Sequence, residues 1–298
     1  EIFHYKGAFE PGWGRIVQEA AVEIEAARGR GVDVAADMYP YTAGGTGLEA
    51  TIPSWAADGG ADSLLARIGR PEVRERLKRE VETGSEGWWN IVESSGGWDG
   101  IVLVNARNEE NAHLEGMTIA EIAEATGKHP ADAAWDLVAA GEGRVMAIYH
   151  MMSEDDVQWA LQRPWTSIGS DAGAAVTPGV VDGLGLPHPR SYGTFPRILA
   201  RYVKETGTLS LEEAIRKMTS WPATRMGIER RGIIREGAWA DITIFDLDRI
   251  DDRATYEEPV LFPEGIEYVL VNGVVVIEDG GTHTGARPGH VLYGPGRQ

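Results

Sequence analysis

The run Pro164-Trp165-Thr166-Ser167-Ile168-Gly169-Ser170-Asp171 is a short apolar stretch that ends abruptly in Gly-Ser-Asp. A strand with this ending delivers one carboxylate to the mouth of a pocket. A carboxylate placed there, close to a cation, can take a proton from an attacking water and return it to a leaving group. A cation follows in Pro187-His188-Pro189-Arg190, and its planar guanidinium suits bidentate capture of a carboxylate. Each residue also has an ordinary alternative. Asp171 fits an N-cap in a Gly-Ser-Asp turn, and Arg190 fits a plain ion pair in an acidic chain. Near the start, His4 and Lys6 are two residues apart and so share one face of a strand. Tyr39, in Asp37-Met38-Tyr39-Pro40-Tyr41, carries a hydroxyl that can donate a hydrogen bond and a ring that can simply pack at a rim. His150 ends a strand and could line the pocket; it and His188 are more often structural and are not read as ligands.

The composition limits the chemistry. With 28 Lys and Arg against 46 Asp and Glu, the net charge is −18. A nucleic-acid partner is therefore not expected, because phosphate binding needs a basic face. There is no Cys, so any metal must be held by His and carboxylate. No apolar run reaches the length of a membrane span and no signal peptide is visible; no membrane association and a cytoplasmic location are expected. The 298 residues, 43% of them hydrophobic, suit one large α/β domain with a small appendage.

The elements that position these residues can be read in turn. Residues 1–7 predict a strand, 13–28 a helix with an apolar stripe, and 32–41 a second strand. At this spacing they make a parallel βα unit. Residues 42–47 are read as a Gly/Thr-rich loop and 84–100 as a longer one whose Trp88, Trp89 and Trp98 could form a lid, although core or rim packing is the simpler reading. Between 48 and 145 the pattern is less regular, with helices at 63–67, 71–81, 118–126 and 130–140 and a strand at 101–105. Thr118-x-x-Glu121 and Ser210-x-x-Glu213 are capping boxes. A strand at 144–149 and a helix at 154–162 precede the strand at 165–170; helices at 194–205, 211–219 and 222–227 follow. From about Gly232 the texture changes to short β-branched strands at 232–234, 240–246, 266–271 and 274–277. Asn272-Gly273 forms a two-residue hairpin turn between the last two.

Several motifs together resemble a known family. Asp37-x-Tyr39-Pro40-Tyr41-Thr42-Ala43-Gly44, Ser167-Ile168-Gly169-Ser170-Asp171 and His188-Pro189-Arg190-Ser191-Tyr192-Gly193-Thr194-Phe195-Pro196-Arg197 resemble the N-acyl-D-amino-acid deacylases (D-aminoacylases) of the metal-dependent amidohydrolase superfamily. Ser220-Trp221-Pro222-Ala223, Arg231-Gly232, Gly237-x-x-Ala240-Asp241 and Val271-Asn272-Gly273 resemble that superfamily's C-terminal segment. The resemblance covers essentially the whole chain and rests on the order and number of motifs, each weak alone.

The resemblance implies an α/β fold: a partial (β/α)8 TIM barrel with its chemistry at the C-terminal mouth of the strands, and a small C-terminal β-sandwich module. Residues 1–231 would be the C-terminal part of the barrel, with an insertion at about 48–145, and residues 232–298 the sandwich module. The family's His-x-His on its first strand, and its later Cys, have no counterpart here. The match begins at the sixth strand, so the chain reads as a fragment, about strands six to eight, inactive alone. The resemblance also implies roles: His4 as a zinc ligand, Lys6 and Arg190 on the substrate carboxylate, Tyr39 on the scissile carbonyl and Asp171 as the proton-handling residue. One His cannot hold zinc tightly, because catalytic sites use three protein ligands. The implied reaction is zinc-dependent hydrolysis of an N-acyl-D-amino acid to a carboxylate and a D-amino acid. Two rivals are a dihydroorotase- or hydantoinase-like cyclic amidase, against which the Tyr-Pro-Tyr and His-Pro-Arg motifs count, and a non-catalytic remnant or binding module.

Overall fold

The computed structural model describes residues 1–173 and 185–293. In chain order the elements are α1 (Ile16–Gly29), β1 (Ala36–Met38), β2 (Ala43–Gly47), α2 (Ala61–Ile68), α3 (Pro71–Thr83), α4 (Ile91–Ser94), β3 (Ile101–Asn105), α5 (Ile119–Thr126), α6 (Pro130–Ala140), β4 (Met146–His150), α7 (Glu154–Leu161) and β5 (Thr166–Ile168). Then come α8 (Arg190–Arg197), α9 (Leu211–Met218), α10 (Ser220–Arg225), β6 (Ile242–Phe245), β7 (Ile266–Val271), β8 (Val274–Glu278) and β9 (Thr282–His283).

The protein is α/β. β1 pairs in parallel with β5, and Ile2 adds a parallel bridge to Ala36 on the other side. All three residues of β5 are buried, as expected of parallel strands covered on both faces. α1 faces them with Val17, Ala21 and Ile24, spaced to fall on one helical stripe. Lys217 of α9 is fully buried and donates from Nζ to the Thr166 carbonyl and hydroxyl, each at 3.0 Å. This ties α9 to the start of the strand that leads to Asp171.

Between β1 and β5 the chain builds a second core. β2, β4 and β3 form an antiparallel sheet in that order, packed with α2 to α6 around Leu48, Ile68, Leu77 and Trp135. The expected loop at 42–47 is therefore a strand, with Ala43 opposite His150 and Gly47 opposite Met146. Gly-Gly-Thr lacks the β-branched texture that marks strands, and its pairing comes from a partner about a hundred residues away. A side chain on Gly44 would meet the Met151 methyl at 2.7 Å, so the glycine admits a close neighbour. Trp88 and Trp98 take the simpler of their two readings: both pack onto this second core, Trp88 donating to the Ala50 carbonyl at 3.3 Å.

Two other expectations are corrected. Residues 1–7 do not run as a strand, because pairing stops after Ile2 and His4 turns left-handed (φ 42°). Residues 232–234 form no strand; Gly232 is left-handed and Ile234 is 85% exposed, so the apolar run has no partner. α8 starts earlier than the expected 194, at Arg190, and continues through residues 198–205 as a wider π-type helix after Pro196. Proline lacks the N–H that a tight turn would use. At the end of the chain β6 to β9 form an antiparallel meander. Asn272 (φ 51°) and Gly273 (φ 83°) make its two-residue turn as expected.

Candidate functional site

The parallel strands end together, and Asp37 of β1 joins two of those ends. Its Oδ1 accepts from the His4 backbone N–H at 2.8 Å, and its carbonyl accepts from Tyr5 N–H at 2.8 Å. Beyond β5, Asp171 also adopts a left-handed backbone (φ 48°). Histidine and aspartate enter this region more readily than most residues.

Because the strand breaks at His4, Lys6 does not continue on its face as the two-residue spacing predicted. Its ammonium turns back to the His4 carbonyl at 3.1 Å and lies 4.9 Å from the centre of the Tyr39 ring. The Arg190 guanidinium contacts the same ring, also at 4.9 Å. Its Nη1 is 3.0 Å from Asp171 Oδ2, yet among the described residues no acceptor is aligned with this buried nitrogen. The ion pair is close but poorly directed, which leaves donor capacity on a guanidinium. Lys6, Tyr39, Asp171 and Arg190 thus form one cluster, and His4 borders it.

Burial lowers the Lys6 ammonium to about 8, Asp171 opposing and Arg190 adding to the shift. Burial also raises the Tyr39 hydroxyl to about 12 against the pull of Arg190, so at neutral pH it is a donor. Asp171 lines two clefts. One, of about 640 Å³, opens beside His4, Asp37, Phe3 and Met226. The other, of about 190 Å³, lies among His188, Arg190, Asn105 and Leu186.

Sequence reasoning gave no role to two residues that organise the cluster. Asp37 had a signal: a carboxylate between the buried Ala36 and Met38. Arg197 had only its place at the end of a motif. It donates from Nε to the Pro40 carbonyl at 2.9 Å, pairs with Asp252 at 3.1 Å and lies 4.9 Å from the Tyr41 ring, clamping the segment after Tyr39. His150 lies apart from the cluster, edge-on to Tyr256 at 4.9 Å. Among the described residues, no three His, Asp or Glu side chains converge as a metal site, and no helix is long and apolar enough to cross a membrane.

The fold and the cluster define an α/β protein whose polar residues gather at the ends of parallel strands, where such folds place their chemistry. The chain belongs to the amidohydrolase family, whose model matches residues 104–277. It is 34% identical over 291 residues to an N-acyl-D-glutamate deacylase of Alcaligenes xylosoxydans xylosoxydans, covering 98% of this chain and 47% of that protein. A D-aminoacylase of the same organism is 33% identical, with 98% and 48% covered. The crystal structure of the Bordetella bronchiseptica N-acyl-D-glutamate deacylase, complexed with zinc and a phosphonate inhibitor that mimics the tetrahedral intermediate, superposes with a TM-score of 0.71 at 32% identity. It covers 98% of this chain and 49% of its own. The chain spans about half the length of the curated relatives it matches.

Proposed function

We propose that this chain is the substrate-carboxylate and proton-handling portion of an N-acyl-D-amino-acid deacylase. In this reading Ile2, β1 and β5 are an arc of a (β/α)8 barrel within residues 1–231, interrupted by an insertion at about 48–145. Residues 232–298 are its β-sandwich module. The observation that carries the reading is the Tyr39 ring contacted by two largely buried cations, Lys6 and Arg190, beside the Asp171 carboxylate. Two cations around one small space suit a substrate that carries a carboxylate.

Lys6 and Arg190 hold the carboxylate of the amino-acid half. Tyr39 donates its hydroxyl hydrogen to the scissile carbonyl, where charge develops. Asp171 takes a proton from the attacking water and passes it to the departing amine. Preference for the D configuration follows the relatives. The Bordetella relative carries zinc, and His4 is the ligand this chain would contribute. The described residues do not make a zinc site by themselves, and the remaining ligands would lie in the half of the relatives that this chain does not match.

Assay of amine release from N-acetyl-D-glutamate tests the reading. The 298 residues alone should give no turnover with added zinc. Joined to the half of the Alcaligenes N-acyl-D-glutamate deacylase that they do not match, they should give turnover. Asp171→Asn in that fusion should then lose at least about a hundredfold in kcat while the zinc content stays constant. A folded, zinc-loaded fusion with no turnover would sink the reading. Full activity in Asp171→Asn would remove that residue from it.

A further inference from the structure

We propose that His188 is a positioning residue for Arg190, its imidazole bridging the β2–β4–β3 sheet and the first turn of α8. The inference rests on the reading of Arg190 as the substrate-carboxylate grip and adds the part that sets where that grip stands.

The His188 ring is buried, 8% exposed, and both of its nitrogens are engaged. Nδ1 lies 3.0 Å from the Arg190 backbone nitrogen, and Nε2 lies 2.9 Å from the Ala43 carbonyl oxygen. Chemistry fixes the tautomer. A backbone N–H only donates, so Nδ1 must present its lone pair; a carbonyl only accepts, so Nε2 must carry the hydrogen. Arg190 is the first residue of α8, where N–H groups have no partner within the helix. His188 supplies one. It thereby ties the point at which the Arg190 side chain leaves the backbone to Ala43, the first residue of β2.

The surroundings admit one state of the ring. Tyr41 and Tyr256 stand edge-on at 5.2 and 5.4 Å, and Tyr39 at 6.1 Å. Among the described residues, the charged and titratable groups that face it are Arg190 and His150, together with these three phenols, and Asp171 and Arg107 line the same small cleft. Burial and Arg190 lower the imidazole to about 3. A proton on Nδ1 would set N–H against N–H and open the bond to Arg190. The bridge therefore exists only in the neutral form, and the first turn of α8 is held as long as that form persists.

The two bonds can be separated by substitution. In His188→Asn the amide oxygen takes the place of Nδ1 and still accepts from Arg190 N–H, while the bond to Ala43 is lost. In His188→Gln the longer side chain reaches Ala43 but leaves Arg190 N–H without its acceptor.

Nitrogen-15 spectra of the 298-residue chain test this directly. In the unsubstituted protein at pH 6, His188 should be neutral and carry its hydrogen on Nε2. A hydrogen on Nδ1, or a protonated ring, overturns the proposal without any variant being needed. The Arg190 Nε–H resonance should shift when Asp171 is changed to Asn. That response should weaken in the His188→Asn background, where the tie to Ala43 is cut, and disappear in His188→Gln. If both backgrounds keep it and differ from the parent only in melting temperature, His188 merely packs and the proposal fails. Titration with N-acetyl-D-glutamate addresses the underlying reading separately. Binding should weaken about tenfold in His188→Gln, the worth of one hydrogen bond, and by a smaller factor in His188→Asn. No binding by the unsubstituted chain, with the spectra as expected, would remove the carboxylate-grip reading and leave the positioning of Arg190 standing.

Discussion

Of the side chains around Tyr39, Asp171 and Arg190 were legible as residue types: a carboxylate at an abrupt strand end and a cation in the next motif. What sequence could not give was their mutual arrangement. The ion pair first read as the ordinary alternative for Arg190 does form, and its partner is Asp171 itself. Asp37 and Arg197 escaped notice because their work is done by bonds to distant backbone, at residues 4 and 40, which no local pattern announces. His188 leads to a prediction about acid stability. Its imidazole is held near 3, against about 6.5 in an unfolded chain. Between those values the unfolded chain carries the extra proton and the native protein does not. The stabilisation is therefore complete above pH 6.5 and falls as pH drops, by about 1.4 kcal/mol per unit, or about 2 kcal/mol at pH 5. Urea unfolding at pH 7 and pH 5 should show this loss in the unsubstituted chain and a loss smaller by that amount in His188→Asn. Equal losses in the two proteins would show that His188 titrates normally.

Elements with strong end signals were read well. Thr118 accepts from Glu121 N–H, and the Glu121 carboxylate accepts from Thr118 N–H; this reciprocal pair starts α5 where its sequence says it should. Thr118→Ala should therefore cost about 1 kcal/mol of stability, measured by chemical denaturation, and leave carboxylate binding unaltered. A cost below a few tenths would mean that tertiary packing alone holds α5. Elements defined by a partner were read badly. β2 is Gly-rich and exists because β4 lies alongside it, whereas residues 232–234 look like a strand and find no edge. In both cases tertiary pairing, which local propensity does not encode, decided the outcome.

For the molecule as a whole, alternating strands and helices followed by a run of short strands correctly indicated an α/β chain with an all-β end. Among the described residues, neither outer edge of the Ile2–β1–β5 trio carries a further strand. Phe3 is 70% and Met226 64% exposed beside the larger cleft. Uncovered parallel edges next to apolar side chains invite pairing with other chains. The isolated 298-residue chain should accordingly associate with rising concentration in sedimentation experiments and bind an apolar dye, despite a charge of −18. Phe3→Glu should reduce both effects. A monodisperse monomer that binds no dye would show that these surfaces are covered in solution.

The left-handed backbone at His4 and Asp171 sets a conflict between durability and use. A side chain in that region carries conformational strain that glycine does not, and the exposed His4 ring recovers little of it through packing. His4→Gly should therefore raise the chain's unfolding free energy by about 1 kcal/mol even as it deletes the proposed zinc ligand; a loss of stability would show that the backbone there is unstrained. Selection for persistence alone would erode this position toward glycine. Under the zinc-ligand proposal, a lineage that keeps histidine there gives up stability for a metal contact, and glycine at this turn would mark one that has lost that contact.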